Sequence, residues 1–278
     1  MSDPGFELDR HIAVRDAGDG RFTGTVDEAY SIGPYPNGGY LLAIAVNALR
    51  QRTPLPDPVA VSAHYVRPAQ NGIACEVVTE VVRAGRGHAT LEASLRQEGR
   101  TCMRVLATFG DLGAATGPTL AAPPPPSIPP LEECIPDGED RGAPMPNGLI
   151  AHIRERFEAR YDPACIGWRR GEPSGDGVIQ GWLRFRDGRP VDTLALMLVC
   201  DAMPPAVFNL VRGGWVPTLE LTCLVRARPA EGWMRCRFTT RHVRAGYLEE
   251  DGEVWDEDGV LVCQSRQLAR VLPPPDAG

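Results

Sequence analysis

The sequence predicts an α+β fold in which one unit occurs twice, as two antiparallel sheets that each wrap a central helix. Two short matches recur at the same offset of 161 residues: Arg67-Pro68 with Arg228-Pro229, and the Arg-Ala-Gly triplets that begin at 83 and 244. An apolar run of helix length precedes a series of strand-like segments in both halves. A proline-rich stretch separates the halves, because neither helix interiors nor central strands accept so many prolines.

The first half, residues 1–110, supplies the pattern on which this prediction depends. Its helix is rich in alanine and leucine, and its strands are rich in β-branched and aromatic residues. Glu98-Gly99 lies where a tight hairpin turn is needed. The predicted segments are a strand at 21–32, a helix at 38–52, strands at 59–67 and 74–85, and a hairpin at 88–110.

The second half, residues 149–278, repeats this order after a proline-rich linker at 111–148. The predicted segments are a strand at 177–186, a helix at 192–203, strands at 219–227 and 233–246, and a hairpin at 253–272. A strongly apolar helix followed by an antiparallel meander requires the sheet to cover the helix on most sides. This is the hotdog plan, and two copies in one chain make a double hotdog.

Composition and charge narrow the function classes. The net charge of −7 argues against nucleic acid as a partner, and no apolar run reaches the roughly 18 residues of a membrane span. The first residues lack the basic and apolar pattern of a secretion signal. The eight cysteines are scattered without a C-x-x-C pair, which disfavours a zinc site and a disulfide framework. We therefore expect a cytoplasmic protein without a metal or organic cofactor.

Common catalytic motifs are missing from the sequence. It has no H-E-x-x-H, no G-x-S-x-G and no G-x-G-x-x-G pattern, which disfavours a metal hydrolase, a serine hydrolase and a dinucleotide-binding enzyme. Asp201 lies in an apolar run, where a carboxylate is costly to bury unless it is hydrogen-bonded. It is therefore a candidate general base, and the alternative is a solvent-facing residue near Pro204-Pro205.

Several short motifs together resemble one family. They are PNGGY at 36–40 before the first helix, HYVRP at 64–68, Asp201 late in the second helix, Thr218 at the start of the next strand, and Gln267 in the last strand. In this combination the chain resembles the double-hotdog acyl-CoA thioesterases of the type II (TesB-like) family. The resemblance implies that Asp201, Thr218 and Gln267 hold and activate a hydrolytic water. Glu220-Leu221 departs from the Asp-His expected there, which bears on substrate preference.

The duplication predicts one catalytic site per chain. At the offset of 161, Asp201 corresponds to Tyr40, Thr218 to Asp57 and Gln267 to the region of Ala107. The first half therefore lacks the three residues. Thr218 and Gln267, taken singly, are each explained by an ordinary position in a strand. Their assignment as catalytic residues therefore depends on the resemblance.

Five further residues are candidates for substrate binding. Gly38 and Gly39 precede the first helix, where N–H groups at a helix start favour an oxygen that carries negative charge; the alternative is a turn that needs glycine. We expect Tyr40 to line the pocket and Trp215 to form a wall of the acyl tunnel, or alternatively a core anchor. His64 is a candidate as well, although a lone histidine in a strand is commonly structural.

The resemblance, together with these residues, implies hydrolysis of a fatty acyl-CoA to free acid and CoA by direct attack of water. Two alternatives stay open: a non-catalytic acyl-CoA binding protein, and a hotdog enoyl-CoA hydratase or dehydratase, although the sequence lacks the GD-x-N-P-x-H-like run of the latter. The resemblance implies a homo-oligomer, with a dimer as the simplest form. Residues 150–162 predict an amphipathic helix that covers the tunnel mouth or a partner surface.

Overall fold

An apolar helix lies at the centre of the first half and is covered by a sheet. The structure, a computed structural model, describes residues 5–120, 124–138, 148–211 and 214–272. The elements of the first half are α1 (Glu7–His11), β1 (Arg15–Gly18), β2 (Arg21–Thr25), β3 (Ser31–Ile32), β4 (Tyr35–Pro36), α2 (Gly38–Arg50), β5 (Asp57–Tyr65), β6 (Ala74–Ala84), β7 (Ala89–Gln97) and β8 (Arg100–Gly110).

The second half follows the same order of strand, helix and strands. Its elements are β9 (Ile135–Pro136), β10 (Phe157–Tyr161), β11 (Val178–Phe185), α3 (Leu196–Val199), β12 (Thr218–Val225), β13 (Met234–Thr239), β14 (Val243–Arg244), β15 (Tyr247–Trp255) and β16 (Leu261–Arg270). Within the described ranges, no helix is long and apolar enough to cross a membrane.

Helix α2 begins at Gly38 because Asn37 caps it. The side-chain oxygen of Asn37 accepts a hydrogen bond from the N–H of Tyr40 over 2.9 Å, which satisfies a donor that has no partner within the helix. Nearly every residue from Gly39 to Leu49 is buried. The helix packs against β5, β6, β7 and β8 and against α3. The central helix predicted for the first half is therefore present, and it ends at Arg50.

The two halves share one continuous antiparallel sheet instead of forming the two separate sheets that we predicted. The strand order is β1-β2-β6-β7-β8-β5-β12-β16-β15-β13-β11-β10-β9, with β14 paired to β15. Strands β5 and β12 pair antiparallel, from His64 opposite Glu220 to Ala60 opposite Leu224. Through this pairing, the backbone N–H and C=O groups of β5 and β12, which would otherwise be edge strands, form hydrogen bonds with each other. Outward from the junction the order is mirrored, as a duplication requires.

The second helix is much shorter than the predicted range 192–203. Only Leu196–Val199 forms α3, and the N–H of Asp201 bonds to the carbonyl of Leu198 in a tighter turn. Pro204 and Pro205 prevent a helix from continuing beyond residue 203, but they do not account for its end at Val199. The chain leaves the helix just before Asp201, and the Asp201 carboxylate reaches the start of α2.

The predicted amphipathic helix at 150–162 is wrong. Residues His152–Arg156 form a short 3-10 turn, and β10 follows as a strand paired with β9 and β11. Phe157, Ala159 and Tyr161 are buried, whereas the residues between them are half-buried. This alternation has the period of a strand, and it decides the structure against the helical pattern.

Candidate active site

A cavity of about 530 Å³ lies where the two halves meet. This size falls in the range of small-molecule sites, and the lining is mostly apolar with a few polar groups, as is common in such sites. Its lining includes Tyr35, Asn37, Gly38, Tyr65, Ile153, Asp201, Trp215, Thr218, Glu250 and Gln267. Both halves thus contribute to one site.

Asp201 of the second half is held by the start of α2 in the first half. Its Oδ2 accepts hydrogen bonds from the N–H of Gly39 over 2.8 Å and from Nδ2 of Asn37 over 2.9 Å. The same Nδ2 donates to the carbonyl of Asp201 over 2.7 Å. The positive end of the helix dipole faces this carboxylate, so the position favours negative charge.

The pKa of Asp201 is nevertheless above its ordinary value. Desolvation of the enclosed carboxyl group raises the pKa to about 6, while the hydrogen bonds from Gly39 and Asn37 lower it. Desolvation outweighs the hydrogen bonds because the charged form loses its water. A carboxylate with this pKa is ionised at neutral pH and is basic enough to accept a proton from water.

Thr218, Gln267 and Glu250 form a hydrogen-bonded chain along one wall of the cavity. Oγ1 of Thr218 donates to Oε1 of Gln267 over 2.7 Å, and Nε2 of Gln267 donates to Oε1 of Glu250 over 2.7 Å. These residues lie on the neighbouring strands β12, β16 and β15, where Glu250 is directly opposite Gln267. Adjacent strands therefore place three polar side chains side by side.

Glu250 is a site residue that sequence reasoning missed. Burial raises its pKa to about 7, and the hydrogen bonds from the N–H of Ala206 and from Gln267 lower the pKa. The signal was present in the acidic run at 249–251: strand alternation turns the middle acid inward, where it is 4% exposed. Asn37 belongs to the PNGGY motif, but the sequence did not predict that its side chain donates hydrogen bonds to Asp201.

Among the remaining predicted residues, Gly38 and Trp215 line the cavity. The rings of Trp215 and Tyr35 lie with their centroids 5.7 Å apart at the same wall. Gly39 follows Gly38 in the chain, and its N–H donates to Asp201. This N–H is therefore used to hold the carboxylate, and it does not face a substrate oxygen as we expected.

Tyr40 and His64 lie outside the cavity lining, which corrects our prediction for both. Tyr40 is fully buried and stacks on Tyr30 with ring centroids 4.5 Å apart, and its hydroxyl donates to the carbonyl of His11 over 2.9 Å. His64 is exposed on the outer face of β5. Its neighbour Tyr65 points inward instead and donates to the carbonyl of Gly38 over 2.8 Å.

In the part of the chain that the structure describes, no group of three or more His, Cys, Asp or Glu side chains is arranged to hold a metal ion. Two carboxyl groups, two amides and one hydroxyl are among the polar groups that line the cavity, from Asp201, Glu250, Asn37, Gln267 and Thr218. Together they are suited to hold a water and to accept a proton from it.

The fold is that of a hotdog protein, and the sequence of each half matches a thioesterase domain. Residues 25–110 match the acyl-CoA thioesterase N-terminal domain, and residues 131–271 match the acyl-CoA thioesterase C-terminal domain. The chain belongs to this acyl-CoA thioesterase family, in agreement with the type II (TesB-like) resemblance.

One relative and two solved structures match nearly the whole chain. The chain is 32% identical over 267 residues to an uncharacterised protein of Mycobacterium tuberculosis, covering 90% of each chain. It is 33% identical to a Thermobifida fusca protein provisionally described as a thioesterase II, with a TM-score of 0.87, covering 97% of this chain and 99% of the other. A hot dog fold protein of unknown function from Alicyclobacillus acidocaldarius is 23% identical with a TM-score of 0.83, covering 98% and 100%.

Proposed function

We propose that the protein hydrolyses an acyl-CoA thioester to the free acid and CoA by direct attack of water. The observation that carries this proposal is the meeting of Asp201, Thr218 and Gln267 at one cavity between the two halves. Membership of the acyl-CoA thioesterase family supports the substrate class.

In this proposal Asp201 is the general base. Its carboxylate accepts a proton from the water as the water oxygen forms a bond with the thioester carbonyl carbon. The tetrahedral intermediate then breaks its carbon–sulfur bond, and the CoA sulfur leaves with the proton that Asp201 received. Thr218 and Gln267 hold the water, and the second N–H of the Gln267 amide polarises the carbonyl without an added charge.

The lining of the cavity supports a hydrophobic acyl group. Aromatic side chains from both halves, Tyr35, Tyr65, Tyr161, Phe208 and Trp215, surround the polar groups. Apolar walls of this kind favour binding of a fatty acyl chain by removing its surface from water. Ile153 adds to the wall from the 3-10 turn that follows the linker.

The test is thiol release from a panel of acyl-CoAs from acetyl to palmitoyl, with Asp201→Asn beside the wild type. Asp258→Asn is the matched control, because Asp258 is exposed in the hairpin turn between β15 and β16. We expect release by the wild type and by the control, and loss of at least a hundredfold in kcat for Asp201→Asn. Equal release by all three proteins would refute the role of Asp201.

The same panel, with an enoyl-CoA added to it, separates the alternatives. A non-catalytic acyl-CoA binding protein would release no thiol and would bind acyl-CoA saturably in calorimetry, with affinity as the only property that Asp201→Asn changes. A hydratase would add water to an enoyl-CoA and leave the thioester intact. Either result overturns hydrolysis as the function.

A further inference from the structure

In the hydrogen-bonded chain of Thr218, Gln267 and Glu250, the contacts of Glu250 determine which group donates at each step. Oε2 of Glu250 accepts from the backbone N–H of Ala206 over 2.6 Å, and Oε1 accepts from Gln267. A backbone N–H only donates, and an ionised carboxylate only accepts. Glu250 therefore requires a donor from Gln267.

The orientation of the Gln267 amide that Glu250 requires also determines the role of the Thr218 hydroxyl. An amide has one donor end and one acceptor end, so an Nε2 that faces Glu250 places Oε1 toward Thr218. The hydroxyl of Thr218 must then donate to that oxygen, as the 2.7 Å contact allows. The lone pairs of its Oγ1 are left to accept a hydrogen from the cavity.

We propose that Glu250 is a positioning residue: by fixing the orientation of the Gln267 amide, it makes Thr218 an acceptor for the hydrolytic water. This inference rests on the proposed function. Asp201 and Thr218 then accept the two hydrogens of one water, which leaves a lone pair of its oxygen free to attack the thioester carbon. No proton reaches Glu250 in this step, since it acts only through Gln267.

The surroundings of Glu250 indicate that its carboxyl group titrates near neutral pH. The charged groups that act on it are Asp201, which lines the same cavity, and Asp251, the next residue of β15; both raise its pKa. Asp251 is itself paired with Arg241 and Arg266. The elements packed against the carboxyl group offer Ala206 and Gln267 as neutral donors. Burial raises the pKa of Glu250 to about 7.

The variant Glu250→Gln tests the direction of the chain with almost no change of shape. The introduced amide must turn its oxygen to the N–H of Ala206, so its NH2 group faces Gln267. The amide of Gln267 then has to turn over, and Thr218 receives a hydrogen instead of donating one. We expect kcat to fall about 10- to 100-fold with KM within about twofold of wild type.

A matched control is Glu253→Gln, the same chemical change on the same strand. Residue 253 lies three positions along β15, on the opposite face of the sheet, and its side chain does not line the cavity. We expect wild-type kcat and KM for this control. Glu250→Asp keeps an acceptor-only group, and it should retain more activity than Glu250→Gln.

The pH profile distinguishes positioning from a general loss of stability. The wild type should show two protonation steps in kcat/KM, near pH 6 from Asp201 and near pH 7 from Glu250, as properties of the coupled pair. Glu250→Gln should keep only the step near pH 6. A purely structural role for Glu250 predicts the same number of protonation steps in the wild type and in folded Glu250→Gln; that result overturns the proposal, as does an unchanged kcat in this variant.

A readout without turnover keeps this inference separate from the proposed function. The side-chain amide resonances of Gln267, identified by their loss in Gln267→Glu, should shift with a midpoint near pH 7 in the wild type. They should not shift there in Glu250→Gln. If the wild type hydrolyses no acyl-CoA but shows this titration, the proposed function fails and the amide orientation stands. Absence of the titration in the wild type overturns the role of Glu250.

Discussion

The backbone N–H of Gly39 donates to the carboxylate of Asp201 over 2.8 Å, and this bond joins the two halves of the chain. A first-half helix start thereby fixes a second-half carboxylate. The first half has no carboxylate at the equivalent place, where Tyr40 is buried instead. A duplicated chain can therefore assign the reacting group to one copy and its anchor to the other.

Gly39→Ala should damage both stability and the site. A Cβ atom at this position would lie 2.6 Å from the carbonyl oxygen of Met197 and 2.8 Å from Cβ of Asp201, so α2 and α3 must move apart. We expect a loss of about 1–3 kcal/mol in the free energy of unfolding, as overpacked cores show. Urea denaturation measures it. Gly87→Ala is the control, since nothing lies within 4 Å of its added Cβ; equal stability of both variants would contradict the steric argument.

Asn37→Ser should separate helix capping from the hold on Asp201. Serine caps helices nearly as well as asparagine, so α2 should remain intact. The variant loses the Nδ2 donor whose hydrogen bond lowers the pKa of Asp201, and that pKa therefore rises above about 6. We expect the acid limb of kcat/KM to move to higher pH, with a larger loss of rate at pH 6 than at pH 8. A uniform loss at all pH values would show that Asn37 acts only through the fold.

The parts of the fold that could be predicted are those set by local sequence patterns. The helix at 38–50 and the paired strands follow from hydrophobic periodicity, and Glu98-Gly99 forms the predicted turn with φ of 50° and 75°. The single sheet was not predictable, because the pairing of β5 with β12 is a long-range contact. The shortness of the second helix was not predictable from its apolar pattern, because Pro204-Pro205 lies beyond the predicted end at residue 203.

The candidate site also contains residues that the sequence predicted and residues that it did not. The family resemblance pointed to Asp201, Thr218 and Gln267, and the structure places them at one cavity. Glu250 was missed because its contact with Gln267 depends on the register between β15 and β16. His64 was misplaced by one residue, since strand alternation turns Tyr65 inward and His64 outward.

Trp215→Ala should weaken binding of long acyl chains more than it slows the reaction. The indole packs near Tyr35 at the cavity wall and makes no hydrogen bond to the polar groups of the site in the described residues. Loss of this apolar surface should raise KM roughly tenfold for palmitoyl-CoA, as about 1.4 kcal/mol of binding corresponds to a factor of ten. KM for acetyl-CoA should change little. Trp233→Ala is the control, because Trp233 packs under Arg184 away from the cavity; a parallel rise there would refute the assignment.

Asp201→Asn should make the protein more stable at pH 8 and not at pH 4. The pKa of Asp201 is about 6 in the folded protein and ordinarily 3.8, so between these values the folded state binds more protons than the unfolded state. Stability contributed by the protonated group is therefore present at pH 4 and lost as the pH rises through about 6. Asparagine keeps the acceptor for Gly39 and Asn37 without a charge to desolvate.

The expected gain at pH 8 is on the order of 1–3 kcal/mol, and removal of the Asp201 charge also lowers the pKa of Glu250, which acts in the same direction. Urea denaturation at pH 4, 6 and 8 measures the difference, with Asp258→Asn as the control that should show none. A variant that is less stable than wild type at pH 8 would mean that the hydrogen bonds from the α2 start outweigh the desolvation of the carboxylate. A gain at pH 8 in an inactive variant would show that the site keeps a buried charge at the expense of stability.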